Sequence, residues 1–373
     1  GLVNAFTGDL APFGERNTRG SDLALKEINE ETVAGGTINK ITGDSETTSS
    51  AGVSVAQKLV NQDGVEVLTG PVSSGTAVSI AESVTIPNEI MHIMVHSTAP
   101  GITDLEDNGY VVRSCPSDAF QGRALAKVVA DNDVSSVSVI MVNNDYGQGL
   151  ADAFEERYEE LGNTVETKVP SEQGRSTYSA QLNEATNPEP DAVVFIVYPQ
   201  SFQTMIREAY EMGIQENYEI FGAESMVSEA VEQNVDQAAI NGMKGTNPSP
   251  PIESDIYQNF VDKFQDEYDR QPTVWAAYTY DAYMMLALSI HAAGEYSSDA
   301  VKEQIYEISR PEGTEVSSIA EGKSELDAGN QINYEGVSGS VDLDENGDAS
   351  GSYQKWEVID GEFEMQGFVD TGE

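Results

Sequence analysis

The residues with chemistry to offer fall into two kinds of loop. The first is rich in hydroxyls. In Leu68-Thr69-Gly70-Pro71-Val72-Ser73-Ser74-Gly75-Thr76-Ala77 an apolar run, Val65 to Leu68, stops at Gly-Pro, and Ser-Ser-Gly-Thr then opens a helix-like segment reaching about Val84. One strand later His96-Ser97-Thr98-Ala99-Pro100 repeats the arrangement. Free N–H groups at a helix start carry partial positive charge, and with hydroxyls beside them they suit an anion such as a carboxylate. Plain helix capping uses the same residue types. The second kind of loop is aromatic and acidic: Tyr146, Tyr198 and Glu224 each follow a predicted strand. Hydroxyls for a carboxylate, Glu224 for an ammonium and tyrosines as walls suit an α-amino acid. Taken singly, each of these residues reads more readily as a cap, a core-edge aromatic or one of 64 acids.

Composition removes other classes. The chain of 373 residues has 64 acidic and 19 basic side chains, a formal net charge of −45. Such acidity repels phosphates and leaves no basic stripe, so nucleic acid is not an expected partner. Hydrophobic residues still make up 39%, in periodic segments, which argues for a folded chain and not a disordered one. The balance resembles that of proteins from extreme halophiles, where salt screens self-repulsion. No apolar run approaches the ~20 residues that span a bilayer. The N-terminus has no charged-then-apolar leader and opens inside an apolar segment, Gly1 to Phe6, as a trimmed first strand would. One cysteine, Cys115, excludes an internal disulfide and reads as a small buried residue. Three histidines, His92, His96 and His291, leave little material for zinc or a His-based triad, and no cofactor is expected. A hydrolase of amidase type would use Glu224 with His96 or Ser74, but the chain lacks a nucleophile elbow, metal spacing or phosphate loop.

Elements that would position these loops alternate along the chain. Thr7 to Gly14 reads as a loop, Arg16–Asn29 as a helix, Thr37–Gly43 as a strand and Ser49–Gln62 as a helix. Strands at Glu89–Val95 and Tyr110–Ser114 complete a first half. A helix from Ser117 opens the second, followed by strands at Val137–Val142, Val165–Val169, Ala192–Tyr198 and Tyr218–Phe221, with helices at Leu150–Leu161, Tyr178–Ala185 and Ser201–Met212 between them. Alternation of this kind gives an α/β fold of two doubly wound lobes with parallel sheets. Ligands in such sheets lie beyond the carboxyl ends of the strands. Asn247-Pro248-Ser249-Pro250-Pro251 reads as a stiff crossing. Helices at Ile256–Tyr268, Trp275–Ala293 and Ala300–Ile308 follow, then hairpin-like segments at Gly339–Leu343 and Ser352–Ile359. Met284 to Leu288 reads as core. Asp342 to Asp348 has alternating carboxylates and a glycine like a calcium loop, but its twelfth position is Tyr353, so an Asn-Gly hairpin turn is the stronger reading.

Taken in order, Thr7-Gly8…Gly14, Gly70…Ser73-Ser74, Ser97-Thr98-Ala99-Pro100, Arg113…Ser117-Asp118…Gln121-Gly122, Tyr146-Gly147, Tyr198…Arg207, Gly222-Ala223-Glu224 and Trp275…Tyr278 form a pattern. Nearly end to end, the chain resembles the branched-chain amino-acid (leucine/isoleucine/valine) binding proteins of ABC importers, of the type I periplasmic binding protein family. The resemblance implies two lobes, 1–117 plus 249–331 and 118–248 plus 332–373, with crossings near 115–119, 246–251 and 328–338 and a ligand in the cleft between them. It implies carboxylate contacts from Ser74 and Thr98, with Thr76 supplementing or replacing a donor. Ammonium contacts would come from Glu224, Thr98 and the backbone carbonyl of His96. Phe13, Ser73, Ser97, Tyr146, Tyr198 and Trp275 would line the pocket. His96 stands where a small residue is usual, so it would narrow the pocket or select a polar ligand. Implied too are hinge closure, a membrane permease as partner and a cell-surface or extracellular location, as a monomer that is free or tethered by a lipid in a longer precursor. A short amide, a urea-like compound or an aromatic acid is the alternative ligand. A sensory ectodomain is the alternative role, which the stop at Gly372-Glu373 disfavours.

Overall fold

The computed structural model describes residues 1–370; the closing Gly372-Glu373 lies outside them. The chain divides into two units. The first holds residues 1–98, 102–116 and 249–351, the second 99–101, 117–248 and the chain from Ser352 onward.

In the first unit, strands and helices alternate: β1 (Leu2–Asn4), α1 (Ala11–Glu31), β2 (Thr42–Asp44), α2 (Ser49–Asn61), β3 (Val67–Thr69), α3 (Ser74–Ile80), β4 (Met91–Met94) and β5 (Val111–Arg113). The strands form one parallel sheet in the order β2-β1-β3-β4-β5. All of β1, β3, β4 and β5 is buried, as strands covered on both faces require.

The second unit continues with α4 (Asp118–Ala130), β6 (Ser136–Val142), α5 (Asp145–Glu160), β7 (Thr164–Ser171), α6 (Ser179–Thr186), β8 (Ala192–Ile196), α7 (Pro199–Glu211), β9 (Glu219–Gly222), α8 (Glu229–Asn234), α9 (Gln237–Ile240) and β10 (Lys244–Ser249). The chain then returns to the first unit with α10 (Asp255–Tyr268), α11 (Val274–Ala293), α12 (Ser298–Ile305), β11 (Thr314–Val316), α13 (Ile319–Asp327), β12 (Ile332–Gly336) and β13 (Gly339–Ser340). β14 (Ser352–Ile359) and β15 (Glu362–Phe368) complete a seven-stranded sheet of the second unit, ordered β15-β14-β10-β9-β8-β6-β7. The α/β class with parallel sheets and two lobes is therefore observed.

The core of the first unit is built around α11. It is buried from Trp275 to Ile290 on every face, so Met284 to Leu288 is core as expected. α1 packs closely enough on α11 that a Cβ at Gly20 would collide with the Ala276 carbonyl, which accounts for a glycine in mid-helix. In the second unit Phe195, Phe202, Met205, Ile206 and Trp356 form the corresponding core.

Several boundaries differ from the sequence reading. α1 begins at Ala11, inside the expected loop, because Pro12 occupies the first turn, where its missing N–H costs nothing. Only Thr42 and Gly43 of the Thr37–Gly43 segment pair, in a strand that runs Thr42–Asp44. α5 starts at Asp145, five residues early, because the Asn144 side chain accepts from Gly147 N–H and caps it. Lys244–Ser249 is a strand despite Asn247-Pro248, held by the Trp356 indole N–H donating to Thr246 O at 3.0 Å. The third crossing falls at 351/352 and not within 328–338, because β12 pairs with β11 of the first unit.

Candidate ligand-binding site

β3 and β4 of the first unit deliver two neighbouring loops. Gly70 ends β3 with φ +88° and its Cα faces the Val3 carbonyl, so any side chain there would be strained and would clash. His92 on β4 is buried, and its Nε2 donates to Gly70 O at 2.7 Å while Nδ1 lies 3.3 Å from the Thr85 hydroxyl. Burial pushes this imidazole down to about 4, so it is a neutral support for the loop.

Beyond Gly70 the expected hydroxyls come together. Ser73 stands at the start of α3 without its side chain capping the helix, so the plain capping reading does not describe it. Ser74 Oγ accepts from Thr98 N–H at 3.1 Å, and the Ser97 hydroxyl donates to Pro71 O at 2.9 Å. These bonds join the two loops, and Ser73, Ser74, Thr76, Ser97 and Thr98 are all buried. Ser97 is a tie between the loops. The Thr76 methyl packs where Gly52 of α2 leaves room for it.

His96 gathers the aromatic positions. Its ring stacks on Trp275 of α11, centroids 3.5 Å apart at 10°, and meets Phe13 of α1 edge-on at 5.2 Å. Asn17 Nδ2 lies 3.0 Å from His96 Nδ1, so that nitrogen accepts and the ring proton sits on Nε2. Burial holds the ring well below the usual histidine range, and it is neutral. Asn17 was not expected here, although it sits four residues after Phe13 and so on the same helix face. Its buried Oδ1 has no partner among the described residues.

The second unit assembles its own group. Tyr146, in the first turn of α5, and Tyr198, at the N-terminus of α7, stack with centroids 5.7 Å apart at 17°. Asn144 Nδ2 donates to the Tyr198 hydroxyl at 2.8 Å, so one residue caps α5 and fixes the second ring. The Tyr146 hydroxyl donates to Ser225 Oγ at 2.9 Å, and Ser225 donates onward to Val197 O at 2.9 Å. Glu224 follows β9, is 4% exposed, and accepts from Gln121 Nε2 of α4. Burial pushes its carboxyl up to about 7, against hydrogen bonding from Tyr146, Gln121 and the backbone N–H groups of Glu224 and Ser225. Burial, with the charges of Glu224 and Asp118, raises the Tyr146 phenol well above its usual range. Glu224 has no cationic partner among the described residues. Gln121 appeared in the sequence only within a motif; its role as the carboxylate's donor is a contact across 103 positions.

The acidic loop resembling a calcium site closes as a turn. Leu343 and Ala349 form an antiparallel bridge around Asn346-Gly347, and both carboxylate oxygens of Asp348 are held by Arg113. Among the described residues no cluster of His, Cys, Asp or Glu could hold a metal, and no helix is long and apolar enough to cross a membrane.

Residues 19–361 match the family model described as "Receptor family ligand binding region". The chain belongs to that family. A curated relative is the chemotactic signal transduction system substrate-binding protein BasB of Halobacterium salinarum, 27% identical over 90% of this chain and 80% of its own. Among solved structures, the leucine-binding protein LivK of Thermotoga maritima superposes with a TM-score of 0.85 at 25% identity, covering 99% of this chain and 97% of that one. A solute-binding protein of an ABC transporter from R. palustris, in complex with benzoate, has a TM-score of 0.80 at 18% identity over 98% and 94%, a likeness of fold alone. The two-lobed architecture is thus that of the type I periplasmic binding proteins.

Proposed function

We propose that the chain is an extracellular or cell-surface solute-binding protein of an ABC importer, which binds an α-amino acid by closure of its two lobes and presents it to a membrane permease. The observation that carries this reading is Glu224, a buried carboxylate with four kinds of hydrogen-bond support and no cation among the described residues. A carboxylate kept out of water without a counter-ion is costly, and a ligand ammonium removes that cost. In this reading Ser74, Thr98 and Thr76 take the ligand carboxylate, while the His96 carbonyl and Thr98 assist at the ammonium. Phe13, His96, Trp275, Tyr146 and Tyr198 surround the side chain. The leucine-binding neighbour supports an aliphatic amino acid. The stack of His96 on Trp275 supports a pocket narrowed on one side.

A second reading keeps the ligand and changes the recipient. The BasB likeness favours delivery to a sensory transducer. The net charge of −45 supports a working environment of high salt. Calorimetric titration in molar KCl with leucine, isoleucine, valine, alanine, glutamate, acetamide, urea and benzoate tests the ligand class. Stoichiometric binding confined to amino acids is the expected result. Binding of benzoate or amides alone would reassign Glu224 and overturn the amino-acid reading.

A further inference from the structure

Thr98, to which the amino-acid reading gives the ligand carboxylate, has its carbonyl held from behind by Arg113, which Thr103 and Asp348 of the first unit brace in turn. Arg113, at the end of β5, is completely buried. Its Nη1 donates to Thr98 O at 3.1 Å, while Nε and Nη2 donate to the two oxygens of Asp348, each at 2.6 Å. Nη2 also donates to the Thr103 hydroxyl at 2.7 Å, and that hydroxyl donates to Asp348 Oδ2 at 2.6 Å. Asp348 is fixed in turn: its N–H donates to Asp344 Oδ1 at 3.0 Å, and Gly347 O accepts from Arg113 N–H at 2.8 Å. Gly347 has φ +80°, and a Cβ there would stand 2.8 Å from Val111 O, so the turn is seated directly on β5. On its other side Thr98 N–H donates to Ser74 Oγ. Both polar groups of the residue 98 backbone are therefore gripped.

A guanidinium paired bidentately with a carboxylate has one planar geometry, so fixing Nε and Nη2 also fixes where Nη1 points. Stability alone is a poor reason for such a buried pair, because apolar residues of similar volume often do as well. What the pair supplies is direction. We infer that Arg113, locked by Asp348 and Thr103, is the positioning residue of the carboxylate subsite, acting through the Thr98 peptide and without touching the ligand. This inference rests on the amino-acid reading of the site.

Two variants test it. R113K keeps a positive charge opposite Asp348 but loses the fork, and T103V removes one brace while leaving the arginine. Two readouts are taken on each: hydrogen exchange of the Thr98 amide in ligand-free protein, and calorimetric affinity for L-leucine and for L-leucinamide, which lacks the carboxylate. In R113K the Thr98 amide is expected to exchange about tenfold faster or more, and L-leucine to bind about tenfold more weakly, while L-leucinamide changes less than about threefold. T103V is expected to shift both readouts the same way by about threefold, and it decides the matter if R113K does not fold. Unchanged exchange at Thr98, or equal losses for both ligands, would overturn the inference and leave the cluster a staple between β5 and its turn. Silence of the unaltered protein toward both ligands would overturn the amino-acid reading, and the exchange rates would still decide whether Arg113 orders Thr98.

Discussion

The polar groups of the two units solve opposite electrostatic problems. In the first unit the loop groups of the candidate site are neutral: hydroxyls, backbone amides and two histidines whose burial keeps them uncharged, while the charge of Arg113 behind them is balanced by Asp348. Ties there join neighbouring loops, as in Ser97 to Pro71 or Thr98 to Ser74, and they are in place before anything binds. The second unit instead buries Glu224 and supports it with neutral donors, so its carboxyl stays high, at about 7. A preorganised neutral surface accepts a negative group with little rearrangement. A buried acid without a counter-ion is a standing cost that a cation removes. The contrast supports a zwitterionic ligand more strongly than either group does alone.

The largest effect should come from removing the charge. E224Q keeps the shape and one accepting oxygen while removing the charge, and titration calorimetry should show amino-acid affinity falling by at least about tenfold in a folded protein. Retained affinity would erase the contrast. The same substitution should stabilise the empty protein. For this carboxyl the folded pKa of about 7 lies above the ordinary 4.5. Between those values the folded state holds more protons than the unfolded one, so stability is full below the unfolded value and declines as pH rises through 7. Thermal melts at pH 8 should therefore place ligand-free E224Q a few degrees above the parent, with the difference vanishing near pH 4.

On the first unit, S74A removes both a hydroxyl and the acceptor for Thr98 N–H. A loss of about five- to tenfold in affinity is expected, with no pH dependence of its own between 5 and 8 because no titrating group is touched. Appearance of such a dependence in the calorimetric series would mean that the two groups are not electrostatically distinct. H96A should act on selectivity more than on affinity. Emptying the space between Phe13 and Trp275 should shift preference toward longer side chains by about threefold, read from a ligand panel and from Trp275 emission. The smallest effect is expected from Y146F. It leaves the stack with Tyr198 intact and removes one hydroxyl near Glu224, changing affinity by about two- to threefold.

What the sequence revealed follows a physical divide. Loops at the ends of buried strands stand out because apolar runs give way to polar residues, and Ser74, Thr98, Tyr146, Tyr198 and Glu224 all lie at such ends. Their supports were hidden, because contacts over large separations leave no periodic trace. Gln121 reaches Glu224 across 103 positions, Asn17 reaches His96 across 79, and Arg113 reaches Asp348 across 235. The Asn247 to Pro251 crossing does fall where the chain passes between units, at Pro248/Ser249, but its turn residues hid the strand Lys244–Ser249 that Trp356 holds. β11 and β12 were also missed, since three to five residues, mostly exposed in β11 and nearly all buried in β12, carry little alternation. At Asp342–Asp348 the preferred hairpin-turn reading matches the antiparallel bridge from Leu343 to Ala349, whereas a one-dimensional pattern could not show that Arg113 holds the Asp348 carboxylate.

The most direct test of the account is the proton balance of binding. Titration of L-leucine near pH 6 in molar KCl, in two buffers of different ionisation enthalpy, measures how many protons leave with each ligand bound. With the free carboxyl of Glu224 at about 7, most molecules begin protonated, and an arriving ammonium favours the ionised form. Release approaching one proton at pH 6, fading by pH 8 and absent in E224Q, is the predicted result. Stoichiometric leucine binding with no proton exchange across that range would contradict the assignment of the ammonium to Glu224.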